Sequence, residues 1–190
     1  MKKAINGFEL ESISNTVEAI QANKDIAKFQ FRARNRWISG GHNRSTMQDF
    51  YGGCQEDESR ETAFVFDNGE PPILLGSNEG ANPVEFVLHA LAGCMTTTMM
   101  LHAAANGISV DKVSSKLVGD LDVQGFLGLD KTIRNGYQNI KVEFDIQGDL
   151  TEEERQTLIG FAHQSPVFDI VTNGVPVQLS AKEVNEGELA

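Results

Sequence analysis

The chain has little cysteine and few positive charges for its size, and each shortage excludes a class of protein. Two cysteines in 190 residues cannot form the set of disulfides that staples small secreted domains. Lysine and arginine number 16 against 27 aspartates and glutamates, which gives a formal net charge of −11. A surface this acidic disfavours nucleic-acid phosphates and anionic membranes. We therefore expect a cytoplasmic protein that binds neither nucleic acid nor membrane.

The sequence also lacks the short motifs that hold metals and nucleotides. It contains no Cys-x-x-Cys and no His-x-x-x-His spacing, which are common arrangements of zinc ligands. It contains no Gly-x-Gly-x-x-Gly, and no phosphate-binding loop that ends in Gly-Lys-Ser or Gly-Lys-Thr. We therefore expect no metal and no cofactor.

No apolar run is long enough to predict a membrane span. The most apolar stretch, 84–108, is interrupted by His89, His102 and Asn106, whereas a span needs about 20 predominantly apolar residues. The first residues contain no apolar core of signal-peptide length. We predict that 84–108 is buried inside the protein or at a subunit interface.

Hydrophobic periodicity predicts helices separated by runs of strands. The predicted helices cover 8–23, 82–105 and two shorter segments that begin at Thr151 and Ser165. The predicted strands cover 25–38, 44–51, 61–67, 112–123, 137–147 and 175–181, and we interpret 52–58 as an acidic loop. Strands that occur in runs favour an α+β fold with antiparallel sheets.

The helix predicted at 82–105 has the clearest boundaries in the sequence. Asn82 is a good N-cap, Pro83 suits the first helical position, and Glu85 stands where a capping box needs it. Asn106-Gly107 is a strong stop signal. Capping is therefore a sufficient explanation of Glu85.

Cys94 lies in the middle of this apolar helix, beside the small residues Ala90, Gly93 and Thr97. Such a thiol is either an inert core residue or a reactive centre in a dry pocket. The start of the helix cannot activate it, because 12 residues correspond to roughly 18 Å and the helix dipole acts within the first turn. A reactive Cys94 therefore needs a cationic side chain from elsewhere in the fold.

The segment 24–44 can supply that cation. It carries six positive charges and one negative charge, a balance of +5 within a chain of net charge −11. The arginines of the predicted strand are expected to form a solvated face, whereas His42 and Arg44 lie near the hairpin turn and are better candidates. Cys54 lies among acidic residues, which raise the pKa of a thiol, so we interpret it as incidental.

Several segments together resemble the OsmC/Ohr family. They are Trp37-x-x-Gly40-Gly41, Ala81-Asn82-Pro83-Val84-Glu85-Phe86, Ala90-Leu91-Ala92-Gly93-Cys94, Ala103-Ala104-Ala105-Asn106-Gly107-Ile108 and Ser165-Pro166-Val167. The resemblance implies an intertwined homodimer of α+β subunits with two long helices packed in its centre. It covers 26–182, so we divide the chain into a helical extension at 1–25, an OsmC-like domain at 26–182 and an acidic tail at 183–190.

The resemblance also implies thiol peroxidase chemistry on organic hydroperoxides. In the family a peroxidatic cysteine, which falls on Cys94, is held as thiolate by an Arg–Glu pair and resolved by a second cysteine. Ser165 stands at the resolving position, and Val84 at the glutamate position with Glu85 beside it. The nearest positions to the arginine are His42 and Arg44.

The same resemblance supplies a substrate pocket. The side chains around Cys94 that suit an apolar peroxide tail are Phe86, Val87, Leu91 and Met95, and Ser165 belongs to the same pocket. Without a second cysteine at Ser165, an external thiol could resolve oxidised Cys94. Cys54 could do so only if its loop folds over the helix.

Three functions fit the sequence. The first is a thiol-dependent hydroperoxidase in which Cys94 attacks the peroxide, His42 or Arg44 stabilises the thiolate, and Glu85 orients that base. The second is a non-catalytic homodimer that binds or senses a small apolar molecule in the same pocket, which the residues at Val84 and Ser165 favour. The third is a purely structural dimer.

Overall fold

Residues 4–181, which a computed structural model describes, form ten strands and five helices. The strands are β1 (Ala4–Ile5), β2 (Phe8–Glu9), β3 (Gln30–Phe31), β4 (Arg34–Ser39), β5 (His42–Met47), β6 (Phe50–Gly52), β7 (Gln55–Asp57), β8 (Phe64–Asn68), β9 (Lys112–Asp120) and β10 (Asn139–Gln147). The helices are α1 (Leu10–Ala22), α2 (Pro83–Ala105), α3 (Val123–Phe126), α4 (Glu152–Ala162) and α5 (Pro166–Asn173).

The strands pair into four antiparallel sheets. Their strand orders are β1-β2, β3-β6-β7, β4-β5-β8 and β9-β10. The predicted α+β class with antiparallel sheets is confirmed.

Helix α2 forms where the sequence predicts it because its ends are specified locally. The Asn82 side chain accepts a hydrogen bond from the Val84 N–H at 2.8 Å, and the Glu85 carboxylate accepts one from the Asn82 N–H at 2.9 Å. These bonds satisfy donors that the first turn otherwise leaves free. Gly107 follows the helix with φ +77°, which glycine adopts without strain.

The apolar core lies where α2 meets the second half of the chain. Its buried side chains come from α2 and α4, and they are Leu91, Met95, Met99, Ala103, Leu158 and Ala162. The sheet β9-β10 packs its inward-facing residues against them, and α5 adds Val167 and Phe168. In the described part of the chain, α2 is also the one helix long and apolar enough to cross a membrane by length and composition, a test that core helices also pass.

The prediction of one continuous strand at 25–38 is wrong, because this segment is divided among three elements. A single 3₁₀ turn occupies Lys24–Ala27, where the Asn23 side chain accepts a hydrogen bond from the Asp25 N–H at 3.1 Å. The following strands then join different sheets, β3 with β6 and β4 with β5. Period-two alternation continues through the segment, but it does not reveal that the pairing partner changes.

The acidic loop predicted at 52–58 is also wrong, because β6 and β7 pair across it as a hairpin. The two residues of its turn, Gly53 and Cys54, both have positive φ, at +59° and +67°. This geometry matches the right-handed twist of paired strands. Cys54 is exposed on that turn.

The last predicted strand, 175–181, does not form in the single chain. The segment pairs with no strand among residues 4–181, and Val175, Val177 and Leu179 are exposed on it. A strand requires a neighbour with free backbone groups, which an alternating sequence cannot supply by itself.

An N-terminal hairpin that the sequence analysis did not predict precedes α1, whose helical prediction is confirmed. Its turn is Asn6-Gly7, with φ +51° and +83°, a preferred turn for a two-residue hairpin. The Asn6 carboxamide donates to the Ile108 carbonyl at 3.0 Å and accepts from the Val110 N–H at 2.9 Å. One side chain thus ties the start of the chain to the segment after α2.

We expect Asn6→Ala to lower the free energy of unfolding by about 2 kcal/mol. The variant loses two hydrogen bonds and places alanine in the left-handed region. Asn6→Asp keeps the acceptor and loses only the donor, so it should lose about half as much. Urea unfolding measures both effects, with the exposed Asn15→Ala as the control. An Asn6→Ala midpoint equal to that of Asn15→Ala would contradict the expectation.

Candidate functional site

Cys94 lies on the flank of α2, between the core and an uncovered face of the helix. The thiol residue is half-buried, whereas its neighbour Met95 is only 3% exposed. At roughly 100° per residue, Cys94 is turned about a quarter of the way around the helix from Met95. Its side chain is therefore screened by the protomer on one side only.

The uncovered face of α2 runs past Cys94 and consists of small and apolar residues. Its exposed members are Val87, Ala90, Gly93, Thr97 and Leu101. Among residues 4–181, no atom of a neighbouring element lies within 4 Å of where a Cβ of Gly93 would be. The side chains near Gly93 are short enough for the backbone of another segment to approach the helix closely.

The face ends where Phe86 meets the sheet β4-β5-β8. The Phe86 ring packs edge-on against Phe66 of β8, with ring centroids 5.9 Å apart. Phe66 and Asn68 are two residues apart on one strand, so both point to the helix side of the sheet. The Asn68 amide donates to Asn43 at 3.1 Å and to Ser45 at 3.2 Å on that side.

His42 and Arg44, the predicted cationic partners of Cys94, both bind Asp67 instead. Arg44 makes a two-pronged ion pair, with Nε and Nη2 donating to the Asp67 carboxylate at 2.8 and 2.9 Å. The His42 ring lies 2.9 Å from the same carboxylate. The Arg44 and His42 hydrogen bonds lower the pKa of Asp67 to about 2.

The sheet geometry separates this cluster from Cys94 of the same chain. Asp67 alternates with Phe66 on β8, so Asp67 points to the side of the sheet away from α2. Arg44 lies directly opposite Asp67 and shares that side. The hydrogen bonds of His42 and Arg44 go to Asp67, so the role of these two residues in activating Cys94 stays a prediction.

The low pKa of Asp67 makes the cluster a source of pH-dependent stability. The carboxyl has an ordinary pKa of 3.8 and a folded pKa of about 2, so its contribution is present above about pH 4. It is lost as the pH falls towards 2. We expect Asp67→Asn to be less stable than wild type at pH 7, with the difference shrinking between pH 4 and pH 2.

Urea unfolding at these pH values tests the Asp67 expectation. Glu58→Gln is the control, because Glu58 is exposed and forms no ion pair among residues 4–181. A constant difference between Asp67→Asn and wild type across the whole range would contradict the assignment.

Glu85 caps α2 and is turned away from Cys94. Nine residues separate them, which corresponds to about 14 Å along the axis and to opposite sides of the helix. Glu85 borders a shallow cavity of about 280 Å³ whose other lining residues are Pro71, Asn78, Gly80 and Asn82. Cys94 does not line this cavity.

Tyr137 contacts the first turn of α2, next to Glu85, and the sequence analysis missed this contact. Its hydroxyl donates to the Val84 carbonyl at 2.9 Å in the first turn of α2. Burial and the nearby Glu85 carboxylate raise the pKa of its phenol. A lone tyrosine in a glycine-rich loop carries no sequence signal for this contact.

Ser165 is completely buried at the start of α5. Its hydroxyl accepts a hydrogen bond from the Phe168 N–H at 3.2 Å, and Pro166 occupies the first helical position. The predicted cap is confirmed. Of the other predicted pocket residues, Leu91 and Met95 are buried in the core, whereas Phe86 and Val87 are more exposed.

Comparison with known proteins agrees with the resemblance found in the sequence. The family model described as OsmC-like protein matches residues 76–180, which is more than half of the chain. Among curated proteins, none matches this sequence.

Solved structures with the same fold cover about three quarters of the chain. An OsmC-like protein from Mycoplasma pneumoniae superposes with a TM-score of 0.57 at 17% identity, covering 75% of this chain and 86% of that one. An organic hydroperoxide resistance protein from Legionella pneumophila superposes with a TM-score of 0.53 at 18% identity, covering 76% and 90%. At these identities the likeness establishes the fold alone.

Proposed function

Because this chain belongs to the OsmC-like protein family, we propose that it is a homodimeric redox protein that reduces organic hydroperoxides. Of its two cysteines, Cys94 alone carries out the reaction. The position of Cys94 carries the proposal. The thiol is half-buried on the flank of the most apolar helix, beside a face that the protomer leaves open. An apolar peroxide can approach such a sulfur from one side while the core excludes water from the other.

The exposed surface of the protomer supports an intertwined dimer. All six residues of β4 are exposed, with Trp37 at 72%, and the open face of α2 is apolar. The unpaired segment 175–181 offers backbone groups to a neighbouring strand. A second copy that covers these surfaces would place the two α2 helices together at the centre.

The proposed pocket forms between the two copies. Phe86 and Val87 are accessible on α2 and suit a hydrocarbon tail better than a charged one, and Leu91 and Met95 support them from the core side. Ser165 is completely buried at the start of α5, and we propose that it lies behind the pocket wall. The OsmC-like domain is proposed to cover 26–182, with 1–25 as an extension, and the proposed tail at 183–190 lies outside the described residues.

The cation that activates Cys94 is proposed to come from the second copy. Arg44 and His42 lie on the side of their sheet that faces away from α2 of the same chain. An arginine that approaches a thiolate lowers the pKa of the thiol by stabilising its charged form. Glu85 of the same assembly would orient the cation rather than contact the sulfur.

The proposed reaction needs one thiolate and an external thiol. The Cys94 thiolate attacks the distal peroxide oxygen, an S–O bond forms, the O–O bond breaks, and the alkoxide takes a proton and leaves as the alcohol. Cys94 is then a sulfenic acid. An external thiol converts the sulfenic acid to a mixed disulfide with Cys94, and water is lost. A second external thiol then attacks the mixed disulfide, which frees Cys94 and joins the two external thiols in a disulfide.

The external thiol is required because Ser165 stands where the resemblance places the resolving cysteine. Cys54 lies on the exposed turn between β6 and β7, and this hairpin pairs with β3. Small thiols are abundant in a reducing cytoplasm, which is the proposed location.

Single-turnover measurements on the wild-type protein test this function. Without added thiol, we expect one equivalent of cumene hydroperoxide to be reduced per chain, after which the reaction stops. A sulfenic-acid trap such as dimedone should label Cys94 and leave Cys54 unlabelled in a peptide map. Added small thiol should convert the single turnover into continuous consumption.

Two results would contradict the proposal. A disulfide between Cys94 and Cys54 in place of dimedone-labelled Cys94 would show an internal resolving group, and no consumption at all would remove the peroxidase function. The second outcome would favour the alternative of a non-catalytic binder or sensor. That alternative draws on Val84 and Ser165, which stand where the resemblance places the glutamate and the resolving cysteine.

A further inference from the structure

Five asparagines in this chain are followed directly by glycine, and one of them is in a different chemical situation. They are Asn6, Asn68, Asn106, Asn135 and Asn173. In such a pair the glycine backbone nitrogen can attack the asparagine Cγ, because glycine offers little steric hindrance and adopts the required conformations. The attack needs both the carboxamide and the glycine N–H to be free of other bonds.

The first two carboxamides are held in place. Asn6 both donates and accepts a hydrogen bond across the fold, as described above. Asn68 is only 9% exposed and donates to two side chains of β5. The nucleophile of the second pair is also engaged, because the Gly69 N–H donates to the Ala81 carbonyl at 3.3 Å.

The two pairs at helix ends are held in a similar way. The Asn106 amide donates to the His102 carbonyl at 2.8 Å, and the Asn173 amide donates to Asp169 at 2.7 Å. The glycines that follow them donate their N–H groups to carbonyls of α2 and α5, at 3.1 and 2.9 Å. Either attack must first break two hydrogen bonds and unwind a helix end.

Asn135 has neither restraint. It is exposed in a loop between β9 and β10, and its side chain makes no hydrogen bond within residues 4–181. The N–H of Gly136 likewise has no partner in the described part of the chain. The Arg134 guanidinium lies about 4.0 Å from where a Cβ of Gly136 would be, so a positive charge stands beside the glycine whose nitrogen attacks.

We propose that Asn135 is a site of spontaneous self-modification in the folded protein. The Gly136 nitrogen loses its proton and forms a bond with Cγ of Asn135, the Cγ–Nδ2 bond breaks, and ammonia leaves. The resulting cyclic imide is then opened by water at either of its two carbonyls. The products are aspartate and isoaspartate at 135, and no oxidant or reductant takes part.

The modification alters a segment that reaches the start of α2. Either product adds one negative charge to a chain that is already acidic. Isoaspartate also lengthens the main chain by one methylene, two residues before Tyr137, whose hydroxyl binds the Val84 carbonyl. Ageing of the protein should therefore loosen the contact between this loop and the first turn of α2.

Peptide mapping by mass spectrometry tests the proposal on the full chain. The protein is incubated at mildly alkaline pH both folded and in urea. In the folded protein we expect Asn135 to convert roughly tenfold or more faster than any of the other four, since each of those must give up hydrogen bonds first. In urea all five should convert at comparable rates.

Gly136→Ala provides the matched variant. Gly136 lies outside the positive-φ region and has room for a Cβ, so the variant should fold while conversion at Asn135 slows. Two outcomes would overturn the proposal: an intact Asn135 in folded protein after the urea sample has converted, or another Asn-Gly pair converting as fast as Asn135 in the folded state.

Discussion

Cys94→Ser is expected to eliminate hydroperoxide reduction, with a loss of about a thousandfold or more. A serine hydroxyl remains protonated at neutral pH and is a far weaker nucleophile than a thiolate, whatever cation is beside it. The exchange is close to isosteric on the flank of α2, so the fold should persist. Stopped-flow measurement of hydroperoxide consumption in excess small thiol gives the rate.

Cys54→Ser is the matched control for this loss. Cys54 is the other cysteine of the chain and lies on an exposed turn, so its variant should retain the wild-type rate. Circular dichroism of both variants separates lost chemistry from lost folding. Equal rates for Cys94→Ser and wild type would refute the proposed function.

Mixing two inactive variants is expected to restore about a quarter of the wild-type activity. Arg44→Met should lower the rate of Cys94 oxidation by about 10- to 100-fold, because the thiolate loses its cation. When Arg44→Met and Cys94→Ser chains are unfolded together and refolded, half of the dimers contain one of each. In those dimers one site combines an intact Cys94 with an intact Arg44 from the second chain.

The mixing experiment distinguishes the source of the cation. If Arg44 served Cys94 of its own chain, no site in the mixed dimer would be complete and activity would not return. Arg36→Met is the control, because Arg36 lies directly opposite Arg44 on β4 and is expected to be dispensable. His42→Asn, mixed with Cys94→Ser in the same way, tests the other candidate.

Features fixed by neighbouring residues were predictable from the sequence. The bounds of α2 follow from Asn82, Glu85 and Gly107, whose interactions span a few positions. The cap at Ser165 follows in the same way from Ser165-Pro166. The position of Cys94 in the middle of α2 could be predicted once the two ends of the helix were known.

Features that depend on pairing between distant residues were not predictable. The division of 25–38 between two sheets, and the hairpin at 52–58, depend on which strand lies alongside. Register places Asp67 opposite Arg44, and no local pattern in the sequence links residues that are 23 positions apart. The same limit applies to Asn6, whose partners are more than a hundred residues away.

The buried cap at Ser165 sets a condition for engineers who wish to install an internal disulfide in this chain. A thiol is a weaker hydrogen-bond acceptor than a hydroxyl, so Ser165→Cys would weaken the anchor of the Phe168 N–H at the first turn of α5. The new sulfur would also begin shielded from any oxidant. A two-cysteine redesign therefore has to rebuild the start of α5 together with the residue it replaces.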